Sequence, residues 1–191
     1  MRVILNKFSL FDLLLIALIG SLGIAVKPVI SPLVRIITGP LMIPGGAVAG
    51  GLYMMFIVLA YGLTRRRFAG TLTSTVQAFI VVLTGIGSHG VISFATYIVP
   101  GIAVDLVMLA FYFKNSAARP KAPACFCAGI AANVTGSLIV GAALFDIPLI
   151  PLLLMLASAA LSGGLGGILA YLILKRIYKL ELLFNDESDE N

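Results

Sequence analysis

Residues 149–174, LIPLLLMLASAALSGGLGGILAYLIL, contain no charged side chain, and Lys175 and Arg176 follow them directly. An uncharged apolar run of more than about 18 residues is typical of a helix that crosses a bilayer. The rest of the chain has the same character: 60% of its 191 residues are hydrophobic, 11% are charged, and its mean hydropathy is +1.11. Too few polar side chains remain to cover a water-facing surface. The sequence therefore predicts an all-α membrane protein.

Five more apolar segments precede this run, at residues 10–26, 40–63, 69–85, 91–113 and 124–145. At about 20 residues per crossing, six helices leave room for short loops only. Residues 27–39 contain Pro28 and Pro32, and we expect them to form the one long connection, between the first and second helices. Five of the eight acidic residues fall within 181–191. We expect a transmembrane domain at 1–180 and an acidic, disordered tail at 181–191.

The N-terminal segment resembles a signal peptide, because Arg2 and Lys7 precede an apolar run. A small-residue cleavage site of the Ala-x-Ala kind does not follow, and Lys27 and Pro28 lead into more apolar sequence. We therefore expect a retained first helix.

The positions of lysine and arginine predict the orientation of the helices. With the N-terminus in the cytoplasm, eleven of the thirteen Lys and Arg residues lie on the cytoplasmic side, and Lys27 and Arg35 lie outside. This bias favours six crossings with both termini in the cytoplasm. The two outer cations either reach lipid phosphates or line an outward-facing binding site.

Small residues recur at four-residue spacing in several of the predicted helices. Such faces let helix backbones approach closely within a membrane. In the sixth helix, Ser162 and Gly166 belong to a face for which we favour internal packing. In the first helix, Ala17, Ser21 and Ala25 form either a packing face or a docking surface for another membrane subunit.

Polar side chains inside a membrane are costly and are therefore candidates for function. Asp105 is the one acid well inside a predicted span, and it either contacts a ligand or bonds a neighbouring helix. Gln77 and Asn133 carry amides, which both donate and accept and so can bind the edge of a heterocycle; the alternative is interhelical hydrogen bonding.

The outer ends of the third and fourth predicted helices carry a further group of polar residues, which includes Thr96. With the buried candidates, these residues form the predicted substrate site: Arg35, Gln77, Thr84, Ser88, His89, Tyr97, Asp105 and Asn133.

Several motifs are missing from the sequence, and their absence excludes classes of function. The chain has no phosphate-binding Gly-x-x-x-x-Gly-Lys-Ser/Thr loop and no Gly-x-Ser-x-Gly elbow. It has one histidine, His89, and two cysteines, Cys125 and Cys127, which are best explained as small apolar residues. Basic stripes of the kind that bind nucleic acid are also missing. We expect no cofactor, no metal and no enzymatic activity.

One part of the chain, residues 39–114, resembles a known family. The matching features are Gly39-Pro40, Gly51-Leu52-Tyr53, Arg65-Arg66-Arg67, and Ile98-Val99-Pro100-Gly101 followed by Asp105. With the six short helices and the small-residue face of the first helix, this pattern resembles the substrate-binding S component of an energy-coupling factor (ECF) vitamin transporter. The YkoE-type group, linked to uptake of hydroxymethylpyrimidine or thiamine, is the nearest likeness.

The resemblance implies a division of labour between several proteins of the plasma membrane. The S component would capture a vitamin or vitamin precursor from outside, and Asp105 would stand where the family tends to carry an acid. A membrane coupling (T) subunit and two cytoplasmic ATPases would supply the energy, with Ala17, Ser21 and Ala25 as the docking surface. The alternative is a self-sufficient small transporter or channel.

Overall fold

The structure, a computed structural model, describes residues 8–39, 45–86, 92–113, 118–144 and 147–189. Within these ranges the chain forms six helices and no strand, which confirms the all-α class. The helices are α1 (Leu10–Thr38), α2 (Gly45–Thr64), α3 (Ala69–Thr84), α4 (Ser93–Phe111), α5 (Ala122–Leu138) and α6 (Leu149–Asp189). A π-helical turn, Ile139–Leu144, extends α5.

The helices pack around the circumference of a bundle in the order α1, α3, α4, α5 and α6. The second helix, α2, closes the bundle between α6 and α1 and also touches α3, α4 and α5. Every residue of α2 from Phe56 to Gly62 is buried. A helix that is apolar all round either lies in a protein core or faces lipid, and α2, with the largest buried share of the five candidate spans, lies in the core.

The tightest packing in the bundle joins α6 to α2 and α5. A Cβ atom on Gly51 would collide with the backbone of Ser162, and one on Gly166 would collide with the backbone of Gly51. Gly129 of α5 and Gly163 of α6 approach each other equally closely. Internal packing by the small residues of α6, as we favoured, is therefore confirmed.

The first helix is longer than its sequence predicts. We expected a connection at residues 27–39, but α1 continues to Thr38 with Pro28 and Pro32 inside it. Both prolines are exposed, and the residues between and after them pack on α2: Ser31 contacts Tyr53, and Thr38 lies against Gly45. Tertiary packing thus outweighs the helix-breaking tendency of proline, which membrane helices often tolerate.

Most of the described basic residues gather at one end of the bundle, which we call the basic end. Arg66 Nε lies 3.4 Å from the Asp12 carboxylate at the start of α1, and Arg67 Nη2 donates to the carbonyl of Phe113 at 2.9 Å. Arg119 Nη2, before α5, lies 3.2 Å from the carboxylate of Glu181 in α6. These contacts link all the helices except α3 directly, and α3 begins two residues after Arg67.

Five of the described helices are long and apolar enough to cross a membrane, and α3, with 16 residues, is a shorter apolar helix. The sixth helix continues past Lys175 and Arg176, where we expected its end, as far as Asp189. The division of the chain into a domain at 1–180 and a tail at 181–191 stays a prediction.

Candidate functional site

A line of residues on α1 meets α2, α3 and α4 at the end of the bundle away from the basic end. Lys27 Nζ donates a hydrogen bond of 2.5 Å to Tyr97 Oη and lies 5.1 Å from the centre of the Tyr97 ring. One helical turn further along, the hydroxyls of Ser31 and Tyr53 are 3.0 Å apart. We call these four residues, together with Gln77, the Lys27 cluster.

Gln77 of α3 lies beside Gly23, which precedes Lys27 by one turn of α1. Its side chain is almost completely buried, at 2% exposure, and its Nε2 atom has no hydrogen-bond partner among the described residues. A Cβ atom on Gly23 would lie 2.5 Å from that nitrogen. Buried amides are nearly always hydrogen-bonded in native proteins, because an unpaired one costs free energy. Among the described residues, Gln77 Nε2 is the buried side-chain polar atom that lacks a partner.

Apolar side chains surround the cluster. Ile24, Ala78 and Val81 are buried against Tyr97, and Phe94 lies at the edge of this group. The rings of Phe94 and Phe79 pack edge to face, with centroids 5.3 Å apart. Apolar packing beside a few polar groups is a composition shared with small-molecule sites.

The charge of the Lys27 cluster is positive. Among the described residues, every ion pair lies at the basic end, and no carboxylate lies within 4.0 Å of Lys27 Nζ. Arg35 adds a second cation two turns along α1. A site of this charge favours hydrogen-bond acceptors and anions, and it repels cations.

The structure brings two predicted site residues into the cluster, Gln77 and Tyr97. Arg35 is exposed in the last turn of α1, with its Cγ beside Gly45. Thr84 is exposed at the end of α3, and its hydroxyl donates to the carbonyl of Ile80 at 2.6 Å. Ser88 and His89 lie outside the described residues.

Asp105 of α4 lies apart from the cluster and contacts the first residues of α3. Its carboxylate accepts hydrogen bonds from the backbone N–H groups of Gly70 (3.0 Å) and Thr71 (2.7 Å), and from the Thr71 hydroxyl (2.6 Å). The first N–H groups of a helix lack partners within the helix, and a carboxylate is well suited to them. These contacts match the structural alternative for Asp105, a bond to a neighbouring helix.

Asn133 also lies apart from the cluster, between α2, α5 and α6. Its Nδ2 atom donates to the carbonyls of Ala47 at 2.9 Å and Ala159 at 2.8 Å, and its side chain is 2% exposed. Both amide hydrogens are therefore used within the protein, unlike those of Gln77.

The described part of the chain contains no group of three or more His, Cys, Asp or Glu residues that could hold a metal ion. Asp105 is engaged by α3, and Cys125 is fully buried among apolar residues.

Comparison with known proteins places the chain in a transport family. Residues 11–135, more than half of the chain, match the family described as the permease component of an ABC-type cobalt transport system. The chain belongs to this family. The chain is therefore a transport protein and not an enzyme, and its apolar helices make it a multi-pass protein of the plasma membrane.

A solved structure described as an S-component of an ECF transporter has the same fold as this chain. The two share a TM-score of 0.75 at 18% sequence identity, over 96% of this chain and 98% of the other. A search of curated proteins gave no match. The transporter class that we expected is confirmed. The fold of this chain is that of an S component.

The predicted docking surface of this chain lies on the outside of α1. Ser21 and Ala25 are exposed and Ala17 is half-buried; the Ser21 hydroxyl donates to the carbonyl of Ala17 at 2.7 Å. Large exposed apolar side chains flank this row, among them Leu14, Leu18 and Leu22. Among the described residues, Ser21 and Ala25 are left uncovered on this face, and docking stays a prediction.

Sequence reasoning missed Ser31 and Tyr53, and it noted Lys27 without including it in the site. The available signal was spacing: Gly23, Lys27 and Ser31 recur every four residues and so share one face of a helix. That signal was lost because we took residues 27–39 as a connection rather than as part of α1.

Proposed function

We propose that this chain is the substrate-capture subunit of an ECF-type ABC importer and that it binds a small heterocyclic vitamin or vitamin precursor at the Lys27 cluster. The observation that carries the proposal is the unused, buried Gln77 amide beside Gly23, one helical turn from the Lys27 that bonds Tyr97. The S-component fold supports it.

The proposal includes six crossings with both termini in the cytoplasm. Sixteen residues of α3 span about 24 Å, somewhat less than the roughly 30 Å of hydrocarbon, and α3 is held between α1 and α4. The basic end would face the cytoplasm, since Lys and Arg are enriched on that side. The Lys27 cluster then faces outward, toward the substrate supply.

The chemistry of the cluster limits the range of ligands that it can bind. Gln77 offers an amide donor to a ring nitrogen or carbonyl, and Lys27 offers a cationic donor to an acceptor atom. Within the YkoE-type group of ligands, the uncharged hydroxymethylpyrimidine fits this site better than thiamine, whose thiazolium ring carries a positive charge that Lys27 would repel.

The description of the family names cobalt, but the described residues do not favour a cobalt ion. Transition metals need several nitrogen, oxygen or sulfur ligands, and no such group is present in the described ranges. The lysine at the centre of the cluster would also oppose binding of a divalent cation.

Energy for transport would come from other subunits. The sequence contains no phosphate-binding loop, so ATP would be hydrolysed by two partner ATPases, coupled through a membrane T subunit. The Ala17, Ser21 and Ala25 face would dock on that subunit.

Calorimetric titration of the detergent-purified chain tests the proposed ligand. We expect hydroxymethylpyrimidine to bind more tightly than thiamine, and Co²⁺ to give no specific binding. Lys27→Gln should weaken pyrimidine binding about tenfold or more, since a hydrogen bond to a charged group contributes about 1.5–3 kcal/mol. Lys175→Gln, the same change at the basic end, should leave it unaltered. Tight Co²⁺ binding without pyrimidine binding would overturn the proposal.

A further inference from the structure

A cleft of about 710 Å³ lies at the basic end, on the side formed by α6 and the residues that lead into α5. Nothing in the proposed transport mechanism uses it. Its lining combines five cationic side chains with aromatic and aliphatic ones: Arg119, Pro120, Lys121, Tyr171, Leu172, Lys175, Arg176, Tyr178 and Lys179.

Among the residues whose side chains the structure describes, few acids compensate the positive charge of this cleft. Arg119 is engaged, since it pairs with Glu181 at 3.2 Å and lies 4.8 Å from the centre of the Tyr178 ring. Glu181 is shared with Arg65, at 3.7 Å. In the part of the chain that the structure describes, the other four cations of the cleft have no ion-pair partner, and none of the lining residues is acidic.

The cleft lies where α6 leaves the membrane. The apolar part of α6, Leu149–Glu181, has 33 residues and is about 50 Å long, whereas hydrocarbon is roughly 30 Å thick. Leu172 precedes Lys175 and Lys179 by about one and two turns, so these residues form a line from the apolar part of the helix toward water. At the boundary of a bilayer, these cations would meet the headgroup layer while Leu172 and Tyr171 would face the acyl region.

We propose that this cleft binds the phosphate headgroup of an anionic phospholipid from the leaflet at the basic end. Basic clefts at the cytoplasmic ends of membrane helices attract such lipids, and lysine and arginine are the usual phosphate ligands. The same cations would also attract a soluble phosphate, but the aliphatic wall and the depth at the membrane boundary favour a lipid.

The cleft lies away from the docking surface on α1. The main neighbours of α1 are α2 and α3, and α6 packs mainly on α5 and α2. A lipid on α6 can therefore stay in place when another subunit covers Ala17, Ser21 and Ala25, so the site does not depend on the proposed function.

Native mass spectrometry of the purified full chain tests this inference. Phosphatidylglycerol, phosphatidylcholine and glycerol 3-phosphate are each added at matched concentrations. We expect bound phosphatidylglycerol and little of the other two. The double variant Lys175→Gln, Lys179→Gln should lower phosphatidylglycerol affinity about tenfold or more, because each cation near an anionic lipid contributes substantially. The control, Arg66→Gln with Arg67→Gln, removes the same charge from the same end but outside the cleft and should keep the lipid.

Three outcomes would overturn the inference. Equal losses in the two double variants would mean that only net charge matters. Binding of glycerol 3-phosphate as tight as that of phosphatidylglycerol would indicate a soluble phosphate ligand. Absence of bound phosphatidylglycerol from the unaltered chain would indicate that another group, such as an acidic segment of a protein, belongs there.

Discussion

Two buried amides in this protein differ in what their hydrogen atoms do. Asn133 Nδ2 donates its two hydrogen atoms to carbonyls of α2 and α6, whereas Gln77 Nε2 has no partner in the described residues. Removing a group that satisfies buried partners is costly, and removing an unsatisfied group is not. The sequence makes both residues equal candidates for ligand contact. In the structure they differ, because the Asn133 amide is hydrogen-bonded and the Gln77 nitrogen is not.

Replacement of each amide by leucine should therefore separate stability from binding. We expect Gln77→Leu to keep or raise the thermal midpoint while weakening ligand binding by about 1 kcal/mol or more. We expect Asn133→Leu to lower stability by about 2 kcal/mol, since two carbonyls lose their donors. Thermal unfolding in detergent and calorimetric titration on the same samples measure both effects. A Gln77→Leu protein with full affinity would exclude the amide from the site.

The predictability of individual residues followed their chemistry. Tyr97 and Gln77 could be proposed as ligand contacts because polar groups within a membrane are few. Tyr53 could not, because its hydroxyl meets that of Ser31 only when α1 packs on α2, and the spacing that marks Ser31 is informative only if residues 27–39 are helical.

At the scale of elements, α3 depends on a cap from another helix. The N-cap residue, Phe68, makes no side-chain hydrogen bond to the helix, and Asp105 of α4 supplies acceptors instead. We expect Asp105→Ala to cost about 1–2 kcal/mol of stability and Asp105→Asn less, with ligand affinity unchanged in both. Chemical unfolding and titration check this. Lost binding at unchanged stability would instead support the ligand contact that the sequence suggests.

The close contact between α2 and α6 allows a second prediction, about the packing of these two helices. Gly51→Ala should drive the two helices apart, because its new methyl group would overlap the backbone of Ser162; overpacking of this kind costs about 1–3 kcal/mol. Gly46→Ala in the same helix is the matched control, since a Cβ there meets nothing within 4 Å. Thermal midpoints should fall for the first variant alone. Equal midpoints would show that the helices are not this close.

The order and the class of the described helices could be predicted because long apolar runs and turn residues fix them locally. The continuation of α1 through Pro28 and Pro32 could not, because it depends on contacts with α2. The continuation of α6 past Lys175 and Arg176 was missed for another reason: charged residues end the apolar stretch but have no need to end the helix.

At the scale of the whole molecule, capture and coupling would use different surfaces. The Lys27 cluster faces the interior of the bundle, and Ala17, Ser21 and Ala25 lie on its outside. Ala17→Leu combined with Ser21→Leu should abolish uptake in cells while ligand binding by the purified chain stays intact. Ala157→Leu, at an exposed position of α6, is the control and should retain uptake. If binding falls together with uptake in the double variant, the docking surface is wrongly assigned.

The central claim is that this chain captures a substrate and that partner proteins drive its transport. Co-purification from native membranes in mild detergent, with partners identified by mass spectrometry, tests it most directly. We expect recovery of one other membrane subunit and two ATPases, and their loss from the Ala17→Leu, Ser21→Leu variant. Recovery of the chain alone, together with substrate accumulation in vesicles that contain the chain and no ATP, would contradict it and would establish a self-sufficient transporter.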